Sequence, residues 1–118
     1  MHEIDAVNAL SALANEHRLR VFRMLIKAGP AGLTPGTIAA RLELPASSLS
    51  FHLTQLQQAG LIAATRDRRN IIYTTDIDTT RELLSFLSED CCGGRPELCA
   101  GLPVTTVHAD PEKKKALS

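Results

Sequence analysis

The chain has 118 residues, enough for one domain and no second, and 44% of them are apolar. Aromatics make up only 3%, with no Trp, so a core of Leu, Ile, Val and Ala fits small helices better than a β-sandwich. Thirteen Lys and Arg balance thirteen Asp and Glu, which excludes a uniformly basic or acidic chain and leaves the placement of charge as the informative feature.

The opening MHEIDAVNAL has no basic leader and no long apolar run, so the expectation is a chain without a signal peptide. No stretch approaches the ~20 apolar residues of a membrane span, so no membrane partner is expected. The expected location is the cytoplasm, where thiols stay reduced and clustered Cys read as ligands or redox centres before disulfides.

Ile4, Val7, Leu10 and Ala14 recur at helical spacing and predict an amphipathic first helix. A second helix starts near Glu16, with Leu19, Phe22, Leu25 and Ile26 as its apolar face and Arg20, Arg23 and Lys27 as a basic one. Gly29 and Pro30 end it. Thr34 followed by Pro35 reads as an N-cap with Pro in the first helical position, where the missing N–H costs nothing. That third helix is short, with Ile38 and Leu42 inward. After LELP, a fourth helix runs through ASSLSFHLTQLQQAG to a C-cap at Gly60. Leu49, Leu53 and Leu56 make its buried stripe. Ser47, Ser48, Ser50, His52 and Gln55 fall on or near the other face.

LIAATRDRRNIIYTT then changes character. Two apolar runs flank the turn-prone RDRRN, which predicts a β-hairpin with a basic tip. Thr79 and Glu82 have capping-box spacing and open a fifth helix, with Leu83, Leu84 and Leu87 apolar, that ends near Asp90. The closing PVTTVHADPEKKKALS has no periodicity and is expected to be loose. The expected organisation is a domain over residues 1–90 and a C-terminal segment over 91–118.

Charge is segregated along this order. Residues 17–69 hold eight Lys and Arg against Glu43 and Asp67 alone, whereas residues 76–97 hold six acidic residues against two basic ones. A basic middle beside an acidic segment suggests an anionic partner for the middle only. A short helix, a tight turn, a second helix with a small-polar face and a basic hairpin together describe a winged helix-turn-helix: mainly α, with a small β-hairpin wing. A helix that enters the major groove needs outward side chains that hydrogen-bond base edges or phosphates without bulk, and Ser, His and Gln meet that need. Arg66, Arg68 and Arg69 on the hairpin can reach backbone phosphates or the minor groove. The competing interpretation is a generic helical domain with a polar face.

Enzyme chemistry finds no footing. There is no Gly-rich phosphate loop, no H-E-x-x-H and no G-x-S-x-G. Ser50 and His52 are two residues apart on one helix and do not face each other.

LANEHRLRVFRML resembles the second-helix signature of the ArsR/SmtB family of bacterial metalloregulators. LPASSLSFHLTQLQQAGLI is similar to that family's recognition helix, S-x-H-L-x-x-L-x-x-A-G-L, here Ser50, His52, Leu53, Leu56, Ala59, Gly60 and Leu61. The resemblance extends in element order over about residues 4–90. It implies a homodimer that binds double-stranded operator DNA, represses its own operon and leaves DNA when an inducer binds. It implies DNA contacts by Ser47, Ser48, Ser50, His52 and Gln55, and a dimer interface of the first and fifth helices. The chain departs from the family's best-known metal sites. The third-helix region AGLTPGTIAARL lacks the C-x-C pair of the founding arsenic sensors, and TTRELLSFLSED lacks the His of the fifth-helix zinc site.

All three cysteines, Cys91, Cys92 and Cys99, lie instead within CCGGRPELC. Gly93 and Gly94 permit a fold-back that brings three sulfurs to one centre. Three soft thiolates without a fourth ligand suit As(III) or Sb(III), whose lone pair occupies the fourth direction. Zinc, cadmium or lead, with His108 as a fourth ligand, is the alternative, as is a thiol-redox response. A two-thiol site for an organoarsenical would leave one Cys spare. Adjacent cysteines bridge each other poorly because the ring is strained. Some repressors of the family resembled carry a terminal Cys-Cys and a later Cys as their arsenite site, which implies the same for Cys91, Cys92 and Cys99. No cofactor is expected to be needed for DNA binding itself.

Overall fold

The structure, a computed structural model, describes residues 1–88; Cys91, Cys92, Cys99 and the rest of the expected C-terminal segment lie outside the described residues. The chain divides into two units, Met1–Thr80 and Arg81–Ser118. In order, the elements are α1 (Glu3–Leu13), α2 (Glu16–Ala28), a 3-10 turn (Gly29–Ala31), α3 (Pro35–Leu42), α4 (Ala46–Gln58), β1 (Ile62–Asp67), β2 (Asn70–Thr75) and α5 (Ile77–Ser88). This is the expected winged helix-turn-helix, mainly α with a two-stranded hairpin.

Local chemistry fixes most boundaries. Asn15 caps α2, its side-chain oxygen accepting from the N–H groups of His17 at 3.0 Å and Arg18 at 3.1 Å. Thr34 caps α3 by accepting from Thr37 N–H at 3.3 Å, with Pro35 in the first turn as expected. The turn into α4 places Glu43 in the left-handed region, φ 55°, so that Leu44 N–H reaches back to the Ala39 carbonyl at 3.1 Å. The same motif closes α4. Gly60, φ 80°, donates to the Gln57 carbonyl at 3.0 Å, and Leu61 N–H to Leu56 at 3.1 Å. Leu56 and Leu61 are both fully buried, which supplies the hydrophobic contact that usually seals such an end.

The start of α5 differs from the expectation. It begins at Ile77, and the side chain of Asp76 takes the Thr79 N–H at 3.0 Å. Thr79 therefore lies inside the first turn and is not the cap. An acidic group that accepts a helix-start N–H also opposes the positive end of the helix dipole, which a threonine hydroxyl does not.

The core is aliphatic: Val21, Leu25, Ile38, Leu49, Leu56 and Leu61 are the largest fully buried side chains. Each is worth ~1.5–3 kcal/mol relative to exposure. Helix α4 packs against α1, α2, α3 and β1. In two helices the large apolar side chains do not all face the core. In α1 the buried residues are Ala6, Ala9 and Ala12, whereas Ile4, Val7 and Leu10 are 64, 50 and 42% exposed. In α2 Phe22 and Leu25 are buried with Val21, but Leu19 and Ile26 face outward. Small alanines let α1 approach its neighbours closely, and the larger side chains are left on the outside. Within α5, Leu83 is buried and Leu84 and Leu87 are exposed.

The hairpin pairs antiparallel from Ile62 opposite Thr75 to Asp67 opposite Asn70. Its base is fixed by Leu33, which exchanges two backbone hydrogen bonds with Tyr73, at 3.0 and 2.9 Å. Gly32 makes this approach feasible. Its φ is +67°, and a Cβ there would press on the Tyr73 carbonyl and stand 2.6 Å from Ile72 Cγ2. Gly32→Ala is expected to destabilise the fold by more than ~1 kcal/mol through both clash and backbone strain. Gly36→Ala, in α3 with nothing within 4 Å of a new Cβ, is expected to be neutral or to stabilise by up to ~1 kcal/mol. Thermal melts of the two variants beside the parent check this; equal midpoints would remove the steric role of Gly32.

Candidate nucleic-acid interface

The outer face of α4 is built by subtraction. Leu49, Leu53 and Leu56 are buried, and at 3.6 residues per turn the opposite face falls to Ser47, Phe51, Thr54 and Gln58, all exposed. Ser48 and Ser50 are exposed as well. His52 and Gln55 lie half-buried on the shoulder of the helix, one turn apart. Of the five α4 residues singled out from sequence, three are thus open to solvent and two are partly enclosed.

The exposed face also carries Phe51, which the polar pattern of α4 does not single out. It is 57% exposed, and its ring meets that of His52 edge-on at 5.8 Å between centroids. The signal was available: Phe51 stands outside the Leu49, Leu53, Leu56 stripe. An aromatic side chain at such a place can meet the methyl group of thymine. Thr54 donates its hydroxyl to the Ser50 carbonyl at 2.9 Å, which holds the proton on the helix itself. The first turn of α4 has no side-chain cap, Pro45 standing in the N-cap position. Its leading N–H groups are therefore available to an external acceptor such as a phosphate oxygen.

His52 is set in a small basic cluster contributed by α2. Arg18 places Nη1 3.3 Å from His52 Nδ1 and donates from Nε to the Ala12 carbonyl at 2.6 Å. The rings of His17 and His52 lie 5.5 Å apart. Burial, and then the positive charge of Arg18 and the proximity of His17, pull the His52 pKa below its ordinary value. His17 Nδ1 is buried and makes no hydrogen bond among the described residues. Arg18 drew no attention from sequence beyond its charge. It stands 34 positions before His52, and no local pattern links the two.

At the wing, Asp67 and Asn70 pair across a two-residue loop of Arg68 and Arg69. Arg68 adopts φ 61°, a left-handed conformation uncommon for a side-chain-bearing residue. Arg66, Arg68 and Arg69 are exposed, and among the described residues the single ion pair joins Arg20 to Glu16. Three guanidinium groups that are unpaired among the described residues can meet an anionic polymer without breaking contacts there. The other cations of the basic middle are placed differently: Arg20, Arg23 and Lys27 line an open groove of about 520 Å³ with Met24, Ile26 and Leu42. Among the described residues no group of three His, Cys, Asp or Glu could hold a metal ion. No helix among them is long and apolar enough to cross a membrane.

A helix-turn-helix domain family model matches residues 13–64. The transcriptional activator HlyU of Vibrio cholerae is 33% identical over 87 residues, 74% of this chain and 78% of that protein. The structure of reduced HlyU superposes with a TM-score of 0.57 at 32% identity, over 75% of this chain and 90% of that one. The nodulation protein NolR of Rhizobium meliloti is 34% identical over 84 residues, 71% of this chain and 66% of that protein. A solved structure described as a possible transcriptional regulator for arsenical resistance matches with a TM-score of 0.60 at 26% identity, over 69% of this chain and 81% of that one.

The surroundings of His52 set a pH dependence. Its folded pKa lies below the unfolded value of about 6.5, so as pH falls the unfolded chain takes up the proton first. The fold is therefore expected to lose stability as pH drops from about 6.5 through the lowered folded pKa. Arg18→Met removes one of the causes and should raise the His52 pKa while flattening this loss. NMR titration of the ring, with thermal melts at each pH, checks both; a His52 midpoint at or above the ordinary value would contradict the geometry.

Proposed function

The chain belongs to the ArsR/HlyU family of transcriptional regulators, and on that premise we propose that it is a repressor that binds operator DNA as a homodimer and is released by As(III) or Sb(III). The observation that carries the DNA-binding part is the pairing of an exposed Ser, Phe and Gln face on α4 with an exposed arginine wing. In this mechanism α4 lies in the major groove, with Ser47, Ser48, Ser50, His52 and Gln55 toward base edges or phosphates. Arg66, Arg68 and Arg69 lie against the backbone, which positions the protein without reading sequence. The exposed Ile4, Val7 and Leu10 of α1, and separately Leu84 and Leu87 of α5, are apolar side chains suited to a partner subunit.

The inducer would be held by Cys91, Cys92 and Cys99, one thiolate each on a single ion, with release of the thiol protons on binding. What supports this is the chemistry of the donor set and the description of a similar structure as a possible regulator for arsenical resistance. These cysteines are not on α4, so release would act by disfavouring the dimer shape whose two recognition helices match major grooves roughly 34 Å apart. A coupling of about 1–3 kcal/mol would lower DNA affinity ~5- to 150-fold. A thiol-redox response is the second reading, favoured by the HlyU structure being described as the reduced form.

Two outcomes test this. Arg68→Gly with Arg69→Ala is expected to weaken specific and random duplex alike and to lower the salt slope by about two phosphate contacts. Glycine at 68 removes the charge while suiting the left-handed turn, so a folding defect does not confuse the result. An unchanged slope in fluorescence anisotropy would take the wing out of the interface.

Replacing Cys91, Cys92 or Cys99 singly by Ser is expected to preserve operator binding and to abolish release by arsenite, because a hydroxyl is a hard, scarcely ionised ligand. Parallel titrations with antimonite, zinc, cadmium, lead and a thiol oxidant separate the inducer classes. Full arsenite release in the triple Cys→Ser protein would sink the metalloid assignment.

A further inference from the structure

Arg18 joins two helices that no local sequence pattern links. Its Nε bonds the Ala12 carbonyl in the last turn of α1 at 2.6 Å, and its Nη1 meets His52 Nδ1 in the middle of α4 at 3.3 Å. Asn15, by capping α2 through His17 and Arg18, fixes the backbone from which this side chain departs. The carbonyl bond fixes the guanidinium plane, and the second contact then has a direction.

That direction has a chemical consequence. A guanidinium only donates hydrogen bonds and is not deprotonated in proteins. The ring nitrogen it meets must therefore present a lone pair. A neutral imidazole has one such nitrogen, so Nδ1 accepts and the proton resides on Nε2. The charged and titratable groups facing the ring agree with the neutral form. From α2 they are Arg18 and His17; α4 carries no charged residue of its own, and α1 offers the Ala12 carbonyl to the guanidinium. Nε2 lies across the ring from Nδ1, and among the described residues it is neither hydrogen-bonded nor buried.

We propose that Arg18 is a specificity-determining positioning residue: it locks His52 in the Nε2–H tautomer, so that this ring reads the major groove as a hydrogen-bond donor only. This rests on the placement of α4 in the major groove proposed above. A donor-only nitrogen fits guanine N7 or O6, adenine N7 or thymine O4, and is mismatched to the cytosine amino group. Without the guanidinium, either tautomer is open to the ring, and a bare Nε2 accepts from the amino groups of cytosine or adenine. The lock thus turns an ambivalent side chain into one that rejects part of the base code. Arg18 itself need touch no base.

The test uses the full chain and duplexes selected by it from a randomised pool. Long-range proton–nitrogen NMR on the DNA-free protein is expected to show His52 Nδ1 unprotonated and Nε2 protonated near neutral pH. In Arg18→Met the two tautomers should mix. Affinities for all four base pairs at each operator position, by anisotropy, are expected to reveal a position where the wrong pair costs the parent about tenfold. His52→Ala should abolish that preference, and Arg18→Met should flatten it at the same position while the other positions keep theirs. A protonated Nδ1 in the parent overturns the lock without any variant having to fold. If His52→Ala leaves every position unchanged, the assignment of His52 to the DNA contact fails and the inference falls with it. If His52→Ala removes a preference that Arg18→Met retains in full, the contact stands and the lock is overturned.

Discussion

Leu49, Leu53 and Leu56 leave α4 one way to sit. With all three buried and the helix closed by a glycine that returns Leu61 to the core, its rotation about its own axis is set. One surface is committed to α1, α2, α3 and β1, and what remains outward is polar apart from Ala46 and Phe51. Burial of each leucine contributes on the order of 2 kcal/mol, so a rotation that brought His52 fully outward would expose more than it gained. The half-buried state of His52 follows from this constraint, and Arg18 occupies the space beside it.

The hairpin is held by a different kind of contact. A backbone bridge between Leu33 and Tyr73 ties it to the segment before α3, and the bridge needs Gly32 to have no side chain. The wing's position relative to the helix-turn-helix therefore rests on this main-chain bridge together with the buried side chain of Ile62 at the start of β1. That leaves the tip free to carry three arginines, one of them in a left-handed conformation that costs roughly 1 kcal/mol or more. A glycine would suit that turn better. The arginine at 68 is understood if charge at the tip matters more than the stability of the turn.

Two helices show that an amphipathic pattern identifies a helix without saying which face the chain itself buries. In α1 the large apolar residues Ile4, Val7 and Leu10 are exposed while Ala6, Ala9 and Ala12 are buried. In α2, Leu19 and Ile26 are exposed while Val21 is buried. Periodicity marks residues that seek burial, and a subunit that buries one face internally can hold another for a partner. For α1 the short alanine side chains permit close packing inside the chain, and the larger set is left exposed.

The amino-acid pattern settles the order of elements, the cap at Thr34, the closing glycine at Gly60, the leucine stripe of α4 and the basic hairpin. Each of these is a local matter: spacing along one helix, a single capping side chain, a turn between two apolar runs. It placed the α4 serines correctly on the outside, because the buried stripe leaves them nowhere else to go. The grouping of Arg18, His17 and His52, the opening of α5 at Asp76 and the outward turn of Ile4, Val7 and Leu10 depend on how the helices pack. The first depends on two helices meeting 34 residues apart, the second on which of two acceptors reaches the Thr79 N–H, and the third on which face of a helix its neighbours cover. None of these is encoded in spacing, because each is a competition between contacts that exist only once the chain has folded.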